Sequence, residues 1–115
     1  MSIICIGDFG TGTEMQYKVS KLINKIINRK KTKFILGLGD NIYPVGVENI
    51  KDEKFKTKFE DPYKNISDNI KFYNVLGNHD YYGNIKAQID YTKKSKKWKL
   101  KSNYYTFTKK FSDLK

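Results

Sequence analysis

At 115 residues the chain is long enough for one small domain and too short for several. Lys and Arg number 23 against 12 Asp and Glu, a net charge of +11, which favours anionic partners such as phosphates, nucleic acid or acidic lipid surfaces. A single cysteine, Cys5, excludes an intrachain disulfide, and no apolar run approaches the ~20 residues of a membrane-spanning helix.

The first predicted element is a strand, Ile3-Ile4-Cys5-Ile6, short and β-branched, running into Gly7-Asp8. Because Ile3 already belongs to this strand, no signal peptide is read before it, and a cytoplasmic location is the default expectation. Cys5, inside the apolar run, reads as a small buried hydrophobe. Gly10-Thr11-Gly12 then turns the chain, Thr13 is placed to cap a helix, and Gln16 completes a capping box. Met15, Val19, Leu22, Ile23, Ile26 and Ile27 fall on one helical stripe, which the polar run Asn28 to Lys33 ends.

The second strand, Phe34 to Leu38, runs into Gly39-Asp40 and closes a β-α-β unit with a right-handed crossover. A loop follows from Asn41 to Ile50, and Phe55 and Phe59 predict a short helix stopped near Pro62. The third strand begins at Lys71 and runs Phe72-Tyr73-Asn74-Val75-Leu76 into Gly77-Asn78. His79 to Asn84 reads as a polar turn and Ile85 to about Ser95 as a helix. Trp98 falls in a lysine-rich connector, Lys93 to Lys101, and Tyr104 to Phe107 has strand character. Trp98, Tyr104 and Tyr105 read as packing residues. Asn65-Ile66-Ser67 fits the glycosylation pattern, a coincidence in a chain read without a secretion signal.

One grammar joins the strands: an apolar run, a glycine, then Asp or Asn where the chain turns. As parallel neighbours they bring Asp8, Asp40 and Asn78 to one edge, where open α/β sheets bind ligands. Oxygen donors on rigid strand ends suit hard or borderline metal ions. Two ions ~3.5–4 Å apart can clamp the attacking and leaving oxygens of a phosphoryl transfer. Asp40, at the central position, suits a bridge between them, with Asp8 serving one ion and Asn78 the other. Singly, Asp8 and Asp40 read as turn caps, Tyr43 as a packed aromatic and His79 as a turn histidine; the metal reading belongs to the set.

Gly7-Asp8-Phe9-Gly10, Gly39-Asp40-Asn41-Ile42-Tyr43 and Gly77-Asn78-His79-Asp80 resemble, in order and spacing, the first three motifs of the calcineurin-like metallophosphoesterases. Within that superfamily they most resemble the purple acid phosphatases, since Gly10 and Tyr43 stand where many relatives carry His and Asp. Asp40 through Val47 and Gly83 through Tyr91 extend the similarity over nearly the whole chain. The resemblance implies an α/β fold, the amino-terminal half of an α/β/β/α sandwich: three parallel strands with crossover helices, over residues 1–115. It implies a dinuclear metal centre, with Asp8 and Tyr43 on Fe(III), Asp40 bridging, and Asn78 on Fe(II), Zn or Mn. His79 would contact the substrate phosphate or protonate the leaving alkoxide, with Asp80 fixing its orientation. The reaction implied is hydrolysis of a phosphomonoester by a metal-bound hydroxide.

The family completes its site with later histidines, including a Gly-His-x-His motif, whereas this chain contains one histidine, His79. Three expectations follow. The chain is the front part of a phosphoesterase whose histidines come from a complementary chain or a missing carboxyl-terminal half. Alternatively it is a truncated, catalytically inactive relative that serves as an interaction module or persists as a remnant. A basic nucleic-acid binder ranks last, because no stacking or groove-reading motif supports it. Without the second half, one sheet face has no cover except Tyr104 to Phe107.

Overall fold

Each apolar run closes into a strand, and the computed structural model, which describes residues 1–111, adds one more. The last four positions of the expected 1–115 domain lie outside the described residues. Strands β1 (Ser2–Ile6), β2 (Thr32–Gly37), β3 (Phe72–Asn74) and β4 (Trp98–Lys99) form one sheet in that order, every pair parallel. The expected α/β architecture with parallel strands is therefore present, with four strands in place of three.

The fourth strand corrects the sequence reading at Trp98. Its indole is fully buried, edge-on to Phe55 and Phe59, and Nε1 donates to the Gln88 carbonyl at 2.9 Å. Seating that ring draws its backbone into register opposite Phe72, a pull that the surrounding lysines conceal in the sequence. Tyr104 to Phe107, expected as a strand, forms no ladder; Phe107 instead stacks on Tyr73 at 4.1 Å and meets Phe34 edge-on at 5.7 Å.

Helix α1 (Glu14–Lys30) starts after Thr13 as expected, but the capping box is displaced by one residue. Gln16 Oε1 accepts from the Gly12 N–H at 2.7 Å, and the Thr13 hydroxyl pairs with that of Thr11. Gln16 Nε2 also donates to the Lys58 carbonyl at 2.7 Å, turning this polar residue inward. Of the predicted apolar stripe only Ile23 is fully buried, while Met15, Val19 and Leu22 stay exposed. Among the described residues no element covers that exposed part of its apolar face.

The predicted helix ending near Pro62 is a single wide turn of π-helix, Lys56–Glu60, that aims Phe55 at Tyr91 and Phe59 at Phe72. The expected polar turn at His79 is a short helix, α2 (Asn78–Tyr81). Helix α3 (Ile85–Asp90), capped by Asn84 Oδ1 on the Ala87 N–H at 3.0 Å, ends earlier than expected and tightens into a 3₁₀ turn, Tyr91–Lys93.

Strand alternation gives the sheet two different faces. Ile35, Phe72 and Trp98 share one face and pack with Phe55, Phe59 and Tyr63 from the crossover connections, forming an aromatic core. Ile3, Cys5, Leu36 and Tyr73 occupy the other, on which Phe107 rests. Cys5, expected inside, is exposed there, because nothing described covers β1 on that side. No described helix is long and apolar enough to cross a membrane.

Candidate metal centre

The backbone ladder between β1 and β2 continues past the strand ends. Leu38 N–H donates to the Ile6 carbonyl at 2.7 Å and Asp8 N–H to the Gly39 carbonyl at 3.0 Å. Each aspartate then turns sharply: Asp8 has φ 53° and Asp40 φ 52°, left-handed values that a short polar side chain tolerates better than most. Glycine at 77 makes the approach from β3 feasible, because a Cβ there would collide with the Asp40 carboxylate. At Gly10 a Cβ would strike the Asn41 carbonyl, so that position also admits no side chain.

Tyr43 closes the cluster. Its hydroxyl lies 3.1 Å from Asp8 Oδ1 and 3.0 Å from Asp40 Oδ2, so one proton serves both carboxylates. Desolvation, and then the hydrogen bonds to Asp40 and Asp8, hold the phenol well above its ordinary value. The remaining Asp40 oxygen, Oδ1, accepts the His79 backbone N–H at 3.1 Å. His79 Nδ1 stands 2.6 Å from the Pro44 carbonyl, and a carbonyl only accepts, so Nδ1 is the donor in this contact.

Asp80 does not touch the His79 ring, contrary to the expectation that it orients it; the Pro44 carbonyl takes that place. Asp80 is fully buried, and its carboxylate accepts from the N–H groups of Asn41 at 3.0 Å, Ile42 at 3.2 Å and Gly77 at 2.8 Å. Gln88 Nε2 donates to it at 3.0 Å, and Asn41 Nδ2 donates to the Val75 carbonyl at 2.9 Å. A buried carboxylate thus ties the Asp40 loop to the start of α2. Gln88 escapes sequence reasoning, since a polar residue inside α3 gives no sign of facing inward. Lys58, whose Nζ donates to the Tyr43 carbonyl at 2.6 Å, escapes it equally.

Asn78 is exposed at the head of α2, and its side chain makes no hydrogen bond among the described residues. The structure therefore brings Asp8, Asp40 and Tyr43 into contact, with His79 hydrogen-bonded beside them and Asn78 next in the chain. Two carboxylates, a phenol and a carboxamide fit one side of a centre for hard cations. Among the described residues no three His, Cys, Asp or Glu side chains are grouped to hold a metal ion.

A family model described as calcineurin-like phosphoesterase matches residues 1–114. Tartrate-resistant acid phosphatase type 5 of Oryctolagus cuniculus is 38% identical over 114 residues, covering 91% of this chain and 34% of that protein. Purple acid phosphatase 7 of Arabidopsis thaliana is 33% identical over 100 residues, covering 86% of this chain and 30% of that one. Among solved structures, GAP50, described as the anchor in the inner membrane complex of Plasmodium, is similar with a TM-score of 0.80 and 27% identity. That match covers 90% of this chain and 34% of GAP50. The chain thus spans about a third of the length of the relatives it matches.

Proposed function

The chain belongs to the calcineurin-like phosphoesterase family, and from that premise we propose that it contributes the oxygen-donor side of a dinuclear centre hydrolysing phosphoric monoesters. The observation that carries this reading is the Tyr43 hydroxyl joining Asp8 and Asp40 at the ends of adjacent strands. Asp8 and Tyr43 would hold a ferric ion, Asp40 would lie between the two metals, and Asn78 would hold Fe(II), Zn or Mn. When bound, the metals supply Lewis-acid charge and an activated nucleophile.

The chain's own residues do the rest. Tyr43 would release its hydroxyl proton to solvent on binding an ion, freeing both carboxylates it bonds. Asp8 and Asp40 are held rigid by their turns and by the extended ladder. His79, its Nδ1 held by the Pro44 carbonyl, would meet the phosphate or protonate the leaving alkoxide through Nε2. Asp80 acts as a positioning residue rather than a catalytic one. Any imidazole ligands would come from outside these residues, from a separate chain or further domain sequence.

The test is hydrolysis by the completed assembly. Asp40→Asn and Asn78→Ala should each abolish metal-dependent phosphomonoesterase activity; normal turnover in both variants would sink the assignment.

A second reading draws on the similarity to GAP50, which is described as an anchor. With one histidine in the chain, a non-catalytic interaction module is the coherent alternative. It requires that no metal supply yields hydrolysis even when a complement is bound.

A further inference from the structure

Lys58 stands apart from the other lysines of its segment. Lys54 pairs with Asp52 at 3.6 Å and Lys56 with Asp61 at 2.9 Å. Lys58 is half-buried, and among the described residues no carboxylate lies within ion-pair distance of it; its ammonium donates to the Tyr43 carbonyl at 2.6 Å. An ammonium drawn partly out of water toward one neutral carbonyl must be held there by its surroundings.

Both ends of the residue are held. Gln16, buried in α1, donates through Nε2 to the Lys58 carbonyl at 2.7 Å. The Lys58 stem passes beside the turn that follows β1, since a Cβ on Gly12 would come within 3.2 Å of Lys58 Cγ. These bonds close a ring. The Gly12 N–H donates to Gln16 Oε1 at 2.7 Å, Gln16 to the Lys58 carbonyl, Lys58 to the Tyr43 carbonyl, and the Tyr43 N–H to the Gly10 carbonyl at 2.9 Å. The turn after Asp8 is thereby joined to the loop after Asp40.

The Tyr43 phenol depends on such support. Its side chain is half-buried, and its ring leans on His79, 4.7 Å between centroids, outside the aromatic core. Its backbone is pinned on both sides from outside its own loop, the N–H by Gly10 and the carbonyl by Lys58. Only the side-chain torsions then remain to aim the hydroxyl.

We propose that Lys58 is a positioning residue for Tyr43: by closing this ring, its ammonium sets the separation of Asp8 and Tyr43, the two residues assigned to one ion. Outer groups that orient a ligand in this way govern how well a site is formed. Without the donor, the Tyr43 loop pivots about its Gly10 bond and carries the hydroxyl off the carboxylates, while sheet and core stay in place. The consequence for an ion rests on the metal reading above; the ring belongs to the chain alone.

Three variants test it. Lys58→Met keeps the stem and deletes the donor, Lys58→Arg keeps a donor, and Lys56→Met removes the same charge from the same turn. The first readout is the nuclear Overhauser cross-peak between the Tyr43 ring and His79, the single histidine, in the metal-free chain. It should fall several-fold in Lys58→Met and persist in Lys58→Arg and Lys56→Met, while the core contact of Phe59 with Trp98 persists in all three. An unchanged Tyr43–His79 cross-peak in Lys58→Met would overturn the proposal. So would its loss in Lys58→Arg, which would place the effect in the stem, or loss of the Phe59–Trp98 contact, which would make the lysine a support of the fold. Ferric ion is titrated separately, and its tyrosinate band should need several-fold more iron in Lys58→Met, with recovery in Lys58→Arg. A parent without that band removes the metal reading and leaves Lys58 to be judged by the cross-peak; a displaced ring with an unaltered titration refutes the role of Lys58 at the site and keeps the metal reading.

Discussion

The Tyr43 hydroxyl lies 3.1 Å from Asp8 Oδ1, a hydrogen bond spanning 35 positions in the chain. It depends on β1 and β2 being parallel neighbours, because only then do the turn after one strand and the loop after the other meet. The same hydroxyl reaches Asp40, so two carboxylates that would repel each other share a donor.

Tyr43→Phe removes that donor. The fold should survive, since the phenol sits at the rim of the sheet, but ferric ion bound to the variant should lack the visible tyrosinate charge-transfer band. Absorbance titration of the parent and variant with Fe(III) measures this directly. Because the phenol is held protonated, uptake by the parent should also release a proton and weaken toward acid pH. A band of equal strength in both proteins would remove Tyr43 from the ligand set.

His79→Ala should separate chemistry from structure. Among the described residues the ring hydrogen-bonds to the Pro44 carbonyl alone, so the loss of stability should be about 1 kcal/mol. In a completed assembly turnover should fall while metal content, measured by atomic absorption, stays near the parent's. Equal losses of metal and rate would make His79 a ligand instead.

Asp80→Asn should cost far more stability than its neighbour. The carboxylate satisfies the N–H groups of Asn41, Ile42 and Gly77 as well as the Gln88 amide, and an asparagine NH₂ would face donors with donors. Leaving such buried groups unpaired costs about 2–4 kcal/mol. Urea unfolding of Asp80→Asn beside His79→Ala measures the contrast, and equal midpoints would refute the role given to Asp80.

The strand-ending glycines and their acids were legible in the sequence because three strands repeat one local rule, and a repeated rule survives the loss of tertiary information. Trp98 was not legible as strand: its register is set by Phe72 across the sheet, while its sequence neighbours are lysines. Asp80 was misplaced for a similar reason. Its adjacency to His79 suggested a side-chain pair, but α2 turns the two apart, burying one carboxylate under the Asp40 loop. Cys5 and the Met15 stripe read as core because they are apolar; that β1 lies at the end of the described sheet is a property of strand order, which no local pattern encodes.

Alkaline pH should unfold the protein through its tyrosines. Burial pushes Tyr63 up to about 12. Burial, and then the charge of Tyr73, pushes Tyr105 up to about 12. Tyr91, half-buried and donating to Glu60 at 2.6 Å, and Tyr43 lie higher than the ordinary phenol as well. A group whose folded value is raised holds its proton longer in the native state. Its contribution is complete below the unfolded value near 10.0 and is lost as pH climbs through the folded value. Lys58 and Lys99, lowered by burial, have the opposite sign, but four phenols stand against two amines. The urea midpoint should therefore hold steady up to about pH 9 and fall steadily between about pH 10 and about pH 12. Tyr105→Phe should flatten part of that decline, because it removes one of the phenols that drives it. A midpoint that rises across the window would show that the lysines, not the tyrosines, govern alkaline stability.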